Sequence, residues 1–538
     1  MSLLNVGARA LLANQVALQT AGHNIANVNT AGYSRQTVVL QTVQGQFTGG
    51  GYIGQGVDVQ TILRNQSELL TRQSASAGST QAADAVRAER LSQLQEVFSG
   101  GTTGLGAAIN DMMNAFSDVV TSPTDITART VVLTRLDETA ARMRTAGDRL
   151  NEIQYTVTEQ LQSSVTAINS LAEQMASINE QIARAKGNGQ TPNDLLDRRD
   201  QIIRDINQYV QTTQIPADDG TVGLFVAGSQ PLVLGTTASS LSVDDATQFP
   251  ASGQIKLFFN RPGASPVEMD ENVLGGGSVS GLLRFNNNDL TEGRNLLGRM
   301  AMAIGMTMNE QQNLGLTLDG LPGKDLFALP TTMPGSTNGA GVGTVSFTGP
   351  TKFEASDYEI RFTTGTAGQV VRLSDGKSTA FTDAANLATL QIDGLNFNLT
   401  TPGNPGERML FKPFSTAANN IQALVYSPRD LAVANPINAA MGTSNGGTMQ
   451  LAGLKATGLP NPPGLVLPAN ANPAALPPIL GGIQLQFNVG PPTTYDVLDR
   501  GTAPPHRWPL RSPTPRESPS PSTAGRSSCR APPRRATR

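Results

Sequence analysis

His23, His506 and Cys529 are the side chains here best suited to bind a metal or act as a nucleophile, and their number and spacing argue against both uses. The chain has two histidines and one cysteine in 538 residues. His23 has no second histidine or cysteine nearby, so it offers no zinc-type ligand set and is expected to be a surface or helix-end residue. His506 lies in the distant tail, and no Ser/His/Asp set can be assembled around either histidine. Carboxylates cluster at Asp218 and Asp219, at Asp244 and Asp245, and at Glu268, Asp270 and Glu271. Such groups can bind cations or share acid and base roles. None has the ligand spacing of a calcium loop, so solvated turns are their expected use. Glycine runs at 49–51 and 275–277 lack the lysine and the strand–helix context of a phosphate loop. No catalytic, cofactor-binding or metal-binding residue is expected, and the chain reads as a non-enzyme.

The charge balance points the same way. With 39 basic and 42 acidic residues, net charge −3 and a pI near 5.6, there is no broad electrostatic footprint for nucleic acid or anionic lipid. No stretch approaches the roughly 20 apolar residues of a membrane span. Asn5, Arg9, Asn14, Gln15 and Gln19 interrupt the N-terminal apolar run, unlike a secretory signal, so any export is expected to use another route. Cys529 lies in the tail, leaving the body without thiols, so folding rests on packing alone. At roughly 100 to 200 residues per domain, the length predicts three or four domains. With 38% apolar and 15% charged residues, thin cores suit rods and β-domains better than one dense globule.

The elements follow from periodicity. Leu4, Ala8, Leu11, Gln15, Leu18, Gly22 and Ile25 alternate spacings of four and three, placing them on one seam of a helix. That helix has no obvious apolar partner nearby in sequence, so it reads as an assembly helix. It ends in Asn24, Asn27, Asn29, Thr30 and Gly32, which leave a helix readily. An alternating run, Thr37 to Leu40, comes next, and Ile62 onward reads as helix through Leu91, Leu94 and Val97. Leu105, Ile109, Met112, Phe116 and Val119 repeat the helical spacing, and a very long helix begins near Ile126, carrying Ile168, Leu171, Met175, Ile178, Ile182 and Ala185. Thr191, Pro192 and Asp194 launch an antiparallel return through Ile202, Ile206 and Val210.

The expected class is α+β and multidomain: an N-terminal assembly helix, a long helical bundle or coiled-coil section, then β-rich outer domains. The expected units are 1–100 (helix, turn and connecting segment), 101–212 (helical bundle), 213–280 (β-rich) and 281–330 (helical return). Residues 331–458 form an outer β-rich domain, 459–499 a Pro/Gly linker with strands, and 500–538 an anomalous tail rich in Pro, Arg and Ser, disordered or out of frame.

The run from Leu3 to Gln36, LLNVGARALLANQVALQTAGHNIANVNTAGYSRQ, resembles the start shared by flagellar rod, hook and hook-associated proteins. Its extension through Ser34 to Gln36 into a long helical section is most similar to the hook-associated protein 1 (FlgK) family. NDLLDRRD at 193–200, SGLLRFNNNDLTEGRN at 280–295 and ERMLFKPFSTAANNIQALVYSP at 407–428 resemble family segments in the same order. The resemblance implies a structural subunit of the hook–filament junction, exported to the cell exterior through the flagellar type III channel without a cleaved signal. Its implied partners are copies of itself in a ring, the hook protein, a second junction protein and an export chaperone; no nucleic acid and no membrane. The implied assembly determinants are Leu4, Leu11, Leu18 and Ile25 on the seam and Asn24, Asn27, Asn29, Thr30, Gly32 and Tyr33 at its end. The alternatives are another axial protein, of hook or distal rod, which lacks so long a helical section, or a secreted adhesin-like surface protein. Family members end in a helix that pairs with the first. Here the composition changes from about Thr502, as a shift of reading frame would produce, and impaired assembly is the expected consequence. The nucleotide sequence around the codon for Asp499 tests this.

Overall fold

The computed structural model describes residues 3–47, 49–102, 104–187, 191–443, 450–455, 483–487, 495–499, 506–508 and 526–530. The apolar spacings become α1 (Leu3–Ala26), α2 (Glu68–Val97), α3 (Leu105–Thr121), α4 (Ile126–Gly187) and α5 (Asn193–Tyr209). Between α1 and α2 the strand Gln36–Thr42 pairs antiparallel with Val57–Arg64, and Gln46–Phe47 pairs with Tyr52–Ile53 beyond them. Ile62, expected to open a helix, lies in the second long strand opposite Val38. The helix starts only after Ser67, whose hydroxyl accepts from the Leu70 amide as an N-cap.

Helix α4 has 62 residues and is therefore about 90 Å long. Its stripe of Ile168, Met175, Ile178 and Ile182 is buried, as the heptad spacing requires. One apolar core runs along it. That core joins Leu94 of α2, Met112 of α3 and Ile206 of α5 to Leu224 and Leu257 from the strands that follow, and so crosses the borders expected at 100 and 212. A spine of this length lets successive segments add their apolar faces to one continuous core. The added strands form a four-stranded sheet from Thr212 to Ala238 and a three-stranded one, Ser240–Asp245, Ile255–Asn260 and Val267–Met269.

The chain then returns through α6 (Ser278–Arg284), a π-helical turn at Phe285–Asp289, and α7 (Leu290–Asn313). The widened turn lets neighbouring polar residues face different elements. Asn286 donates to the Gly253 carbonyl, Asn287 grips both backbone groups of Ile255, and Asp289 accepts two bonds from Arg87 of α2.

Helix-borne amides are the joinery of this fold. Asn169 donates to the Leu241 carbonyl at 2.9 Å and accepts from its amide at 2.8 Å, and Asn179 does the same for Val222. Gln312 spans the Asp430 carbonyl and the Ala432 amide. A carboxamide presents one donor face and one acceptor face, so it satisfies a strand edge without burying charge. That explains how a chain with few charged residues holds its layers in register. Asn309 is the most committed, accepting from the amides of Leu326 and Phe327 and donating to the Phe327 carbonyl, all within 2.9 Å. Asn309→Ala is expected to destabilise the protein by about 2 to 3 kcal/mol, because three buried backbone groups lose their partner; urea unfolding measures this.

Beyond α7 lies an antiparallel sheet of seven strands. Their spatial order is Ser378–Phe381, Gly368–Arg372, Tyr358–Phe362, Arg408–Phe411, Thr332–Ser336, Val342–Phe347 and Leu395–Thr401, with α8 (Ala384–Thr389) beside the last. It has its own core, including Tyr358, Phe397, Phe411 and Phe414, with Phe397 and Phe411 edge to face at 5.3 Å. After Phe411 the chain does not stay in the outer domain. It crosses to the helical core between Ala417 and Ala418, in α9 (Ala417–Asn420), and runs back along α4. Arg129 and Arg144 of α4 donate to the carbonyls of Pro428, Leu431 and Ile421 on this returning segment. Farther on, Ile483–Phe487, Tyr495–Asp499 and His506–Trp508 form one small sheet, and Gln450–Lys455 pairs with Arg526–Arg530. The other residues of the expected linker and tail lie outside the described residues.

Candidate assembly interface

Helix α1 has two faces of opposite character. On the inner face Ala13 and Thr20 are buried and Val6, Val16 and Ala17 half-buried, small residues that let the helix lie close to the strands 36–42 and 57–64. Gly56 contributes to this closeness, since a Cβ there would stand 3.2 Å from a Val6 methyl. The other face carries the predicted seam. Leu4, Leu11, Leu18 and Ile25 are 82%, 73%, 75% and 74% exposed, and Ala8, Gln15 and Gly22 between them are exposed too. The four large residues recur every seven positions, the pattern that presents one ridge to a second helix. Burying them would contribute about 6 to 12 kcal/mol gross, at 1.5 to 3 per side chain.

The polar residues at the end of α1 have different work. Asn24 donates to the Gln36 carbonyl and accepts from the Gln36 amide, both at 2.9 Å, and accepts from the Tyr33 hydroxyl at 2.7 Å. Asn27 donates to the His23 carbonyl, and Thr30 donates to Asn27. Gly32 has φ of +83°, and a Cβ there would come within 3.0 Å of Gln201 and Arg204. The His23 ring meets Tyr33 edge-on at 5.5 Å, which makes it the helix-end residue expected. The Tyr33 phenol is held above its ordinary pKa by burial first and by Asp197 and Asp194 next, so it remains a donor to Asn24. Asn29 stands exposed on the turn. The structure thus brings Asn24, Asn27, Thr30, Gly32 and Tyr33 together as a clasp inside the chain, and leaves the seam and Asn29 facing outward.

A second fastening, missed in the sequence, ties this N-terminal unit to α5. The Arg64 guanidinium donates to Asp197 at 2.8 Å and to Asp200 at 2.9 Å, with all three side chains nearly buried. Asp197 also accepts from the Ser34 amide, and Asn193 donates to the Ile62 carbonyl. Two aspartates three apart share one face of a helix, which was a visible signal; that Arg64 meets them was not. Among the described residues no group of three or more His, Cys, Asp or Glu is placed to hold a metal, and no helix is long and apolar enough to cross a membrane.

Known proteins resemble this chain in sequence and in fold. The family model for the FlgK helical domain matches residues 91–327, that for the D2-like domain of flagellar hook-associated protein 1 matches 334–413, and that for flagella basal body rod proteins matches 4–33. Flagellar hook-associated protein 1 of Salmonella typhimurium is 32% identical over 440 residues, covering 81% of this chain and 79% of that protein. The Escherichia coli protein of the same name is 30% identical over 443 residues, covering 81% and 80%. The flagellar hook junction protein FlgK from Burkholderia pseudomallei has the same fold, with a TM-score of 0.69, 23% identity, and 85% of this chain and 86% of that one covered. With a seam-bearing first helix, a helical spine and an outer sheet in matching order, the chain belongs to the flagellar hook-associated protein 1 family of structural hook-junction proteins.

Proposed function

We propose that this chain is a mechanical subunit of the flagellar hook–filament junction, without catalytic activity, which joins copies of itself through the exposed seam of α1. The observation that carries the reading is the heptad ridge of Leu4, Leu11, Leu18 and Ile25, left open while the opposite face of the same helix is packed. A ridge of four large apolar side chains is unfavourable in water, and helix pairing is the arrangement its spacing fits. The clasp around Asn24 and Tyr33 then serves assembly indirectly, by fixing the angle at which α1 leaves the body. In this reading the partners are neighbouring copies in a ring, the hook protein on one side and a second junction protein on the other. An export chaperone delivers the chain to the flagellar type III channel, and the protein works outside the cell.

The test is complementation of a strain lacking its own hook-associated protein 1. With its altered composition after about Thr502 the chain is expected to restore swimming weakly or not at all, and a coding sequence whose frame is rejoined after Asp499 is expected to restore it. In whichever background restores swimming, Leu11→Asp with Leu18→Asp is expected to abolish it while leaving the unfolding of the body unchanged. A doubly substituted strain that swims like its parent sinks the proposal.

A further inference from the structure

Where the helical body, the three-stranded sheet and the outer sheet meet, they enclose a cleft of about 700 Å³. Its lining includes Asn286, Thr291 and Arg294 on the return helix and Ser336, Lys412 and Ser415 from the outer sheet and its exit, and contains no aspartate or glutamate. Arg294 has no carboxylate within ion-pair distance among the described residues. One of its terminal nitrogens, Nη2, donates to Asn151 at 2.7 Å and Gln154 at 2.8 Å, and its buried Nε has no partner in the chain. Lys412 donates to the Ser252 carbonyl at 2.9 Å, and the nearest carboxylate, Asp357, is 3.9 Å away. Asp357 is itself buried, which raises its pKa and weakens it as a counter-charge. Glu407, near the glycines of the rim, is engaged by Asn404 and the Ala340 amide.

The neutral groups are equally selective. Asn286 is 2% exposed; its amide nitrogen donates to Gly253 and Asn287, which fixes its orientation and leaves its buried Oδ1 as an acceptor without a donor. The hydroxyls of Thr291, Ser336 and Ser415 donate to backbone carbonyls within the chain, so each offers the cleft lone pairs. Two cations and several acceptors call for a ligand with a carboxylate and several hydroxyls, and the volume is that of a small-molecule site.

We propose that this cleft binds a sugar acid, with Arg294 and Lys412 holding the carboxylate and the Thr291, Ser336 and Ser415 oxygens accepting from its hydroxyls. The experiment is calorimetric titration of the full chain with D-glucuronate, D-glucose and inorganic phosphate at matched ionic strength. Glucuronate is expected to bind about tenfold more tightly than glucose, the worth of one charge-assisted contact, and more tightly than phosphate, which offers the cations a charge but lacks the ring hydroxyls that reach the acceptors. Lys412→Gln is expected to weaken glucuronate about tenfold. Arg294→Gln is expected to do likewise, and since Arg294 also braces α4, a second variant avoids the packing. Val342 lies on the lining and is 56% exposed, so Val342→Glu brings a competing carboxylate to the rim without disturbing a core, and should weaken glucuronate but not glucose. Absence of binding, equal affinity for glucose or for phosphate, or affinities unmoved by Lys412→Gln and Val342→Glu each overturn the assignment.

Discussion

Arg64→Met is expected to loosen the whole N-terminal unit from the body, at a cost of about 3 to 5 kcal/mol. The Arg64, Asp197 and Asp200 side chains are 7%, 9% and 12% exposed, and while Asp200 keeps Arg199 at 3.2 Å, removing the guanidinium leaves Asp197 without a cation and with little water to screen it. Arg64→Lys should recover only part of the loss: a single nitrogen, Nη1, reaches both carboxylates, and the shorter lysine side chain has to bring its ammonium to that same point. Neutralising the orphaned helix partner as well, in Arg64→Met with Asp197→Asn, should restore much of the stability, since the unpaired charge and not the missing bonds carries most of the penalty, and Asp200 keeps its pair with Arg199. Hydrogen exchange resolves the effect by position. Protection should fall in residues 36–64 and stay high along α4. Uniform loss of protection across α4, or no loss in 36–64, would show that Arg64 does not fasten this unit. Because α1 rests on those strands, the seam would keep its residues but lose its orientation, and junction assembly should fail with every seam side chain intact.

The course of the helices was legible in the sequence because helical period is local: the spacing in α3, α4 and α5 repeats within a few turns, and the structure turns the residues that spacing selects inward, burying Met112, Ile168 and Ile206 and half-burying Leu105, Phe116 and Leu171. The seam was legible for the same reason, and its exposure followed from the lack of an apolar partner. Ile62 was misread because the strand ending at Arg64 runs almost directly into the helix starting at Glu68, so apolar residues from two periods merge into one apparent pattern. The clasp was half visible. Asn24, Asn27 and Gly32 announced a helix end, but nothing local could say that Asn24 would grip Gln36 rather than a neighbouring subunit. Arg64 and Asp197 stand 133 residues apart, and no spacing rule links them. The crossing at Ala417 and Ala418 was illegible for a related reason: small apolar residues fit either core equally well, and only the finished packing assigns them.

Gly298→Ala and Gly78→Ala, the same substitution on two helices, are expected to change stability in opposite directions. At Gly298 of α7 an added Cβ would stand 1.9 Å from the Phe414 carbonyl oxygen, a backbone atom held by the aromatic core of the outer sheet. That oxygen cannot swing aside as a side-chain end would. Either α7 or the segment leaving the sheet must move, and the substitution should cost about 3 kcal/mol or more. Phe414 packs on Phe353 at 5.5 Å, so the displacement should pass into the seven-stranded sheet and lower hydrogen-exchange protection there before it reaches α4. At Gly78 of α2 nothing lies within 4 Å of the new methyl group, and the position is exposed. There the change only removes backbone freedom from the unfolded chain and should stabilise by about 0.5 to 1 kcal/mol. Calorimetry on both variants separates packing from propensity. If Gly298→Ala proves neutral, the outer domain is not seated on α7 through this contact, and the three-sided cleft beside it would lose its fixed geometry as well.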